Sequence, residues 1–266
     1  MDLELKEKVA IVTGGSRGIG KAVARELARE GASVALAARD PAALDAAAAE
    51  ISRASGSRVQ GFSADTGDDG AVKAMVAAVL AAFGRIDILV NCAATPGGQA
   101  KPPTLAEITN EYVFADINVK VLGYLRTARE VAPHMKSRGS GRIINISGLA
   151  ARNTGNIVGS VRNVGVAALT KNLADELGPH GISAVCVHPG RTRTEKTAGA
   201  VEREAKAKGV STEEIERRMA GFNLLGRLIT AAEVAQVVAF LASPKSVAIN
   251  GDAIAVGGGA PGEIYY

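Results

Sequence analysis

Cysteine is scarce in the 266-residue chain: Cys92 and Cys186 are its two thiols, each within or beside an apolar run, which argues against a disulfide framework and for structural thiols. The three histidines, His134, His180 and His188, are scattered without ligand spacing, so no metal site is expected. No apolar run approaches the ~20 residues of a membrane span. The acidic opening Met1-Asp2-Leu3-Glu4 is unlike a signal peptide, and together these absences predict a reducing cytoplasm. Charge does not accumulate either. Lys and Arg number 31 against 27 Asp and Glu, for a net charge of +4, and the signs are interleaved, whereas a nucleic-acid surface needs clustered cations. No Pro/Gly/Ser linker or charge block divides the chain, so residues 1–266 read as one domain.

Apolar residues make up 47% of the chain, enough for a substantial core, and many of the alanines fall on helical segments where they permit close packing on a sheet. Strand-like runs near 8–13, 33–38, 57–63, 86–91, 141–147, 181–188 and 252–256 alternate with helical periodicity. This alternation predicts an α/β fold: one doubly wound, Rossmann-type, seven-stranded parallel sheet flanked by helices on both faces. Its ligand crevice should lie at the carboxyl ends of the strands.

The first strand run, Val9-Ala10-Ile11-Val12, breaks at Thr13-Gly14-Gly15-Ser16-Arg17-Gly18-Ile19-Gly20, and helical periodicity follows from Lys21 to Glu30. Glycines at 14, 18 and 20 permit a sharp turn, a close backbone approach to a pyrophosphate, and a helix start tight against the sheet. The helix N-terminus offers free N–H groups to an anion. A glycine-rich tight turn is the alternative, but a second strand at Ser33 to Ala38 completes the expected unit of about thirty residues.

With Gly-x3-Gly-x-Gly after Thr13, the chain resembles the short-chain dehydrogenase/reductase family over roughly residues 5 to 260. Asp65 after the third strand matches a residue that contacts adenine in that family. Asn91-Cys92-Ala93-Ala94 resembles its Asn-Asn-Ala-Gly turn, and Pro189-Gly190 with Thr194 its turn beside the nicotinamide. Gly226-Arg227-Leu228, Glu233-Val234-Ala235 and Gly257-Gly258-Gly259 resemble its C-terminal segment. The resemblance implies a nicotinamide cofactor and a homotetramer, in which helices 105–135 and 157–178 would pack on their copies and the C-terminal strand would form another interface.

Two arginines bear on which cofactor. NAD-preferring proteins place an acid at the end of the second strand; here that position is Ala38, followed by Arg39, with Ser16 and Arg17 in the loop. Two guanidiniums and a hydroxyl suit a 2′-phosphate, at roughly 1.5–3 kcal/mol per charge-assisted bond. NADP(H) is therefore expected over NAD(H), unless Asp40 neutralises Arg39 in an ordinary surface pair.

The catalytic half departs from the family. None of the four tyrosines, Tyr112, Tyr124, Tyr265 and Tyr266, has a lysine four residues on. Counting back from Leu173-Ala174-Asp175-Glu176-Leu177 puts the family's Tyr at Gly159 and its Lys at Asn163; its Ser corresponds to Gly148, with Ser147 one residue early. The family's Asn aligns with Lys120 when anchored on Gly123 and Pro133-His134-Met135, or with Asn118 on the local Asn-Val pair; the two-anchor alignment is preferred. Carbonyl reduction needs a proton donor within ~3 Å of the forming alkoxide, worth roughly 10²–10⁴ in rate.

Four readings stay open. Lys120 with Ser147, Ser160, Asn163 or a water relocates the oxidoreductase chemistry; the chain binds cofactor without turnover; the pocket runs a different reaction such as hydration, decarboxylation or carbon–carbon cleavage; or a tyrosine such as Tyr112 or Tyr265 reaches in from elsewhere. Arg152, Asn153, Thr154, Asn156, Arg162, His188, Arg191 and Arg193 would make a cationic pocket if they converge, suiting a small anionic substrate; solvent-facing arginines and a backbone-satisfying His188 are the alternative. Within 190–225, segment Thr197 to Arg218 alternates Glu, Lys, Arg and Ala, as either a lid over the substrate or a charged surface helix.

Overall fold

The computed structural model describes residues 1–95 and 102–261; Tyr265 and Tyr266 lie outside them. Short apolar runs become strands, and alanine-rich periodic runs become the helices between them: β1 (Val9–Thr13), α1 (Gly18–Arg29), β2 (Ser33–Ala38), α2 (Pro41–Ser55), β3 (Val59–Ser63), α3 (Asp69–Phe83), β4 (Ile88–Asn91), α4 (Asn110–Ile117), α5 (Gly123–Arg138), β5 (Gly141–Ile146), α6 (Ile157–Leu177) and β6 (Ile182–Pro189). After β6 come β7 (Thr192–Arg193), α7 (Thr197–Lys208), α8 (Thr212–Ala220), β8 (Ile229–Thr230), α9 (Ala231–Ala242) and β9 (Ala253–Val256).

Seven strands form one sheet in the order β3-β2-β1-β4-β5-β6-β9, every pair parallel. Parallel pairing buries both faces, which is why β1, β4 and β6 are apolar almost throughout. Val23 and Leu27 of α1, Leu44 and Ile51 of α2, and Val234 and Val238 of α9 cover one face. Val76 and Val79 of α3, Val131 and Met135 of α5, and Leu177 of α6 cover the other. The chain moves outward through β2 and β3, then crosses to the other side of β1 for β4, leaving a crevice where the direction switches.

The helix expected over 105–135 is interrupted. Leu105–Glu107 is a single 3₁₀ turn, and α4 starts afresh at Asn110, where the Thr109 hydroxyl accepts from the Tyr112 N–H at 3.2 Å. Between α4 and α5, Asn118–Leu122 form a π-helical segment in which the Gly123 N–H bonds to the Asn118 carbonyl five residues back. Gly123 lies close to the backbone of Thr66, where even a Cβ would approach the Thr66 oxygen to 3.0 Å. Residues 190–225 hold β7, which pairs with β8 outside the main sheet, and the two helices α7 and α8. α7 and α8 share a small apolar face formed by Val201, Ala205 and Ile215.

At the amino end of the sheet, buried Asp87 ties three elements together. Its Oδ2 accepts from the Val9 N–H and from Arg85 Nε, at 2.9 and 2.8 Å, and Arg138 of α5 lies 3.5 Å from Oδ1. Asp87→Ala strands the Val9 donor and two guanidiniums, so it should cost about 2–3 kcal/mol. Urea denaturation at neutral pH measures this, and a loss below about 0.5 kcal/mol, the usual size of a surface substitution, would show that the anchor is dispensable.

Candidate active site

A cleft of ≈ 1140 Å³ opens at the carboxyl ends of β1, β4, β5 and β6. Its floor is the glycine loop. Gly14 has φ +66°, and a Cβ on Gly20 would collide with the Gly14 carbonyl oxygen, so both positions need glycine for the loop to close as it does. Thr13 Oγ1 accepts from the Cys92 and Ala93 N–H groups, each at 3.1 Å, and binds the turn after β4 to that loop. Gly14, Ser16, Arg17, Ile19, Gly20 and Ala93 line the cleft. Asn91 and Gly18 do not. Asn91 lies behind the wall, donating to Asn145 Oδ1 at 2.9 Å and accepting from Thr127 Oγ1 at 2.8 Å, and supports the loop from beneath. The Gly18 N–H, at the start of α1, donates to the carboxylate of Glu195 at 2.8 Å. Sequence reasoning did not single out Glu195, and a contact across 177 positions has no local signature.

At one end of the cleft lie Arg39 and Asp65. Asp40 does not neutralise Arg39: its Oδ1 caps α2 by accepting from the Ala43 N–H at 3.1 Å. Among the described residues neither Arg17 nor Arg39 forms an ion pair. Asp65 Oδ1 accepts from the Gly67 N–H at 2.9 Å. At the other end are Pro189, Gly190 and Thr194, the last donating its N–H to Thr197 Oγ1 at 2.8 Å at the start of α7.

Lys120 sits on the π-helical segment, buried, and lines the middle of the cleft. Its Nζ donates to the Ser147 carbonyl at 2.8 Å and to Asn163 Oδ1 at 3.1 Å. Ser147 Oγ in turn donates to the Asn163 carbonyl at 3.0 Å. Burial, reinforced by the nearby Arg162 guanidinium, lowers the Lys120 pKa to about 7. Gly148 completes the cluster, because a Cβ there would meet Asn163 Nδ2 at 3.1 Å. Lys120, Ser147 and Asn163 are thus brought together.

Ser160 is not with them: it lies off the cleft and its hydroxyl donates to the Asn153 carbonyl at 2.9 Å. Asn118 is turned away as well, its amide occupied by the Gly67 carbonyl at 3.1 Å and by Arg126 at 2.8 Å. Gly159 is buried, and the side chain of the N-cap residue Asn156 fills the space a Cβ would take, at 2.9 Å. No tyrosine lines the cleft among the described residues. Tyr112 is outside it, and buried Tyr124 donates its hydroxyl to the Ile146 carbonyl at 2.9 Å.

The surrounding cations converge only in part. Arg162 lines the cleft but is half-buried against Asp116, its Nη1 donating to both carboxylate oxygens at 2.9 and 2.8 Å, a partnership across 46 positions that spacing cannot reveal. Arg191 stacks on the Phe222 ring 3.7 Å from its centroid, and both border the cleft. Arg152 donates to the Ala253 carbonyl at 2.7 Å, and Arg193 pairs with Glu216 at 3.3 Å. His188 is buried off the cleft, and its pKa is lowered to about 4 by burial and by Arg152, so it is neutral. Among the described residues no group of three or more His, Cys, Asp or Glu could hold a metal ion.

A glycine loop opening a helix at the switch point of a parallel sheet defines a nucleotide-binding α/β scaffold. A family profile described as enoyl-(acyl carrier protein) reductase matches residues 14–261. The chain is 36% identical over 257 residues to the short-chain reductase protein NovJ of Streptomyces niveus, covering 96% of this chain and 95% of that one. A putative ketoacyl reductase of Streptomyces coelicolor is 35% identical, covering 95% and 96%. Among solved structures, L-sorbose reductase from Gluconobacter frateurii, complexed with NADPH and L-sorbose, superposes with a TM-score of 0.93 at 30% identity, covering 99% of this chain and 100% of that one. An actinorhodin polyketide ketoreductase variant with NADPH gives 0.88 at 33%, covering 96% and 98%. The chain belongs to the short-chain dehydrogenase/reductase family.

The depressed pKa of Lys120 couples folding to pH. Between about 7 and the ordinary 10.5 the unfolded chain holds a proton that the folded chain lacks, so this group adds stability as pH rises through that window and withholds it fully below about 7. Lys120→Met should abolish that rise. Urea midpoints between about pH 7 and 10 test it; parallel wild-type and variant curves would mean that Lys120 keeps an ordinary proton affinity.

Proposed function

We propose that the protein is an NADP(H)-dependent oxidoreductase acting on a small carbonyl or alcohol, with Lys120 standing in for the family's phenol. The observation that carries this is the Lys120–Asn163 contact at 3.1 Å. Relative to the family pattern, Lys and Asn have exchanged positions across the cleft, so an amine is retained in the catalytic region but enters from the opposite wall. The NADPH complexes of the sorbose reductase and the ketoreductase support the cofactor, and the cleft fits it: the glycine cradle has no room for side chains, and Arg17, Arg39 and Ser16 gather at one end without competing ion pairs.

A bound nicotinamide dinucleotide supplies or accepts the hydride. The chain supplies the proton. An ammonium has three N–H donors, and two of those on Lys120 go to Ser147 and Asn163, which leaves one for a substrate oxygen in the cleft. With its pKa near 7, the same amine gives up a proton readily once negative charge develops on that oxygen. Arg162 is occupied by Asp116, so recognition of an anionic substrate group falls to Arg191 at the mouth. Residues 190–225 act as a lid, since Gly190, Arg191, Thr194, Phe222 and Asn223 of this segment border the cleft.

Exposed Phe114, Leu122 and Leu125 on α4–α5, and Ile157, Val161 and Val164 on α6, support a homotetramer. No helix among the described residues is long and apolar enough to cross a membrane, and both described cysteines are free thiols, in keeping with a cytoplasmic location.

In a panel of ketones and aldehydes, NADPH oxidation should fall as pH rises above about 7, because the charged amine is the donor, and Lys120→Met should lower turnover by about 10²–10⁴-fold with NADPH affinity kept. NADPH should bind more tightly than NADH, and Arg39→Ala should remove at least ~10-fold of that preference, the equivalent of ~1.4 kcal/mol. Equal affinities for the two cofactors would refute the phosphate site. The absence of a cleft tyrosine among the described residues favours a second reading, a cofactor-binding module without turnover. Tight NADPH binding with a silent panel would select it.

A further inference from the structure

We propose that Lys120 is also a nucleophile, capturing a small aldehyde or ketone in the cleft as an imine, an activity that needs no dinucleotide and goes beyond the reductase reading. Among the described residues it is the one lysine lining the cleft, and it is held in place. Two acceptors, the Ser147 carbonyl at 2.8 Å and Asn163 Oδ1 at 3.1 Å, use both hydrogens of a neutral amine. The remaining tetrahedral direction on nitrogen is its lone pair. The Ser147 hydroxyl does not claim it, because its Oγ donates to the Asn163 carbonyl instead.

The surroundings favour the uncharged form. The titratable and charged groups acting on the amine are Arg162 of α6, Asp116 of α4, Cys92 after β4 and Cys186 of β6, with neutral His188 of β6 coupled to it as well. Asp116, the one carboxylate among them, is bound by both oxygens to Arg162, so its charge is already matched. The thiols stay protonated, pushed up by burial to about 12 for Cys92 and about 11 for Cys186. No unmatched anion is left to hold an ammonium, and the Arg162 guanidinium opposes one. The resulting pKa near 7 gives a substantial free-amine fraction at neutral pH, the condition for a lysine nucleophile.

The step balances within the proposed reactants. The Nζ lone pair forms the C–N bond while the carbonyl π pair moves onto oxygen. The two amine hydrogens leave with that oxygen as water, and a C=N bond replaces C=O. Protonated, the imine draws electrons from the adjacent carbon, so hydrogens there become exchangeable with solvent.

The test uses the full-length protein without dinucleotide, glyoxylate as the carbonyl probe and cyanoborohydride to reduce any imine, with adducts located by peptide mass. At pH 7 the adduct on Lys120 should form at least ~10-fold faster than on exposed lysines such as Lys171 and Lys208. Labelling of Lys120 should halve near pH 7 on acidification, and Arg162→Gln, which leaves Asp116 unmatched beside the amine, should move that midpoint upward. Lys120 left unlabelled, or labelled no faster than the exposed lysines, overturns the proposal. NADPH oxidation is scored separately, so trapping with a silent reductase assay sinks only the redox reading, and turnover without trapping sinks only this one.

Discussion

Three elements meet at the Nζ of Lys120: the π-helical segment that carries it, the end of β5 through the Ser147 carbonyl, and α6 through the Asn163 amide. A cation buried among these partners is costly unless it sheds its proton, and the position of its neighbours follows from that cost. The carboxylate that could have stabilised it, Asp116, is committed to Arg162 on the same wall. The amine is therefore held by neutral acceptors alone, which keeps it in place without fixing its charge.

The changes at the family's catalytic positions fit one another. Asn163 reaches Lys120 with its oxygen and packs its nitrogen against Gly148, where a side chain would press on it. Gly159 leaves its space to the Asn156 side chain that caps α6, so a tyrosine restored there would have to displace the cap. Lys120, Ser147, Asn163 and Asn156 all have partners, whereas Arg162 Nε in the same wall has none.

Much of this was legible in the residues. Apolar runs near 8–13, 33–38 and 181–188 marked strands, to within a residue of Val9–Thr13, Ser33–Ala38 and Ile182–Pro189, because a parallel sheet buries both faces, and the glycine spacing after Thr13 marked the turn. Lys120 could be placed only by counting from Gly123 and Pro133, and the structure puts it, rather than Asn118, in the cleft. What stayed hidden has a common cause. The Arg162–Asp116 pair and the Glu195–Gly18 contact join residues far apart in the chain, and the switch to π hydrogen bonding leaves no mark on composition. Ser160 misled because position on a helix does not fix where a hydroxyl points; the Asn153 carbonyl draws it off.

The π-helical stretch at Asn118–Leu122 has a consequence for how this cleft could change over generations. A π turn spends one residue more than an α turn over about the same rotation, so trimming one position from that stretch would restore a regular helix with α4 and α5 still in register. Asp116 would keep its pairing with Arg162, while Lys120, carried by the bulge, would be displaced or lost. The chemistry of the wall is thus set by a bulge as much as by the identities of its side chains.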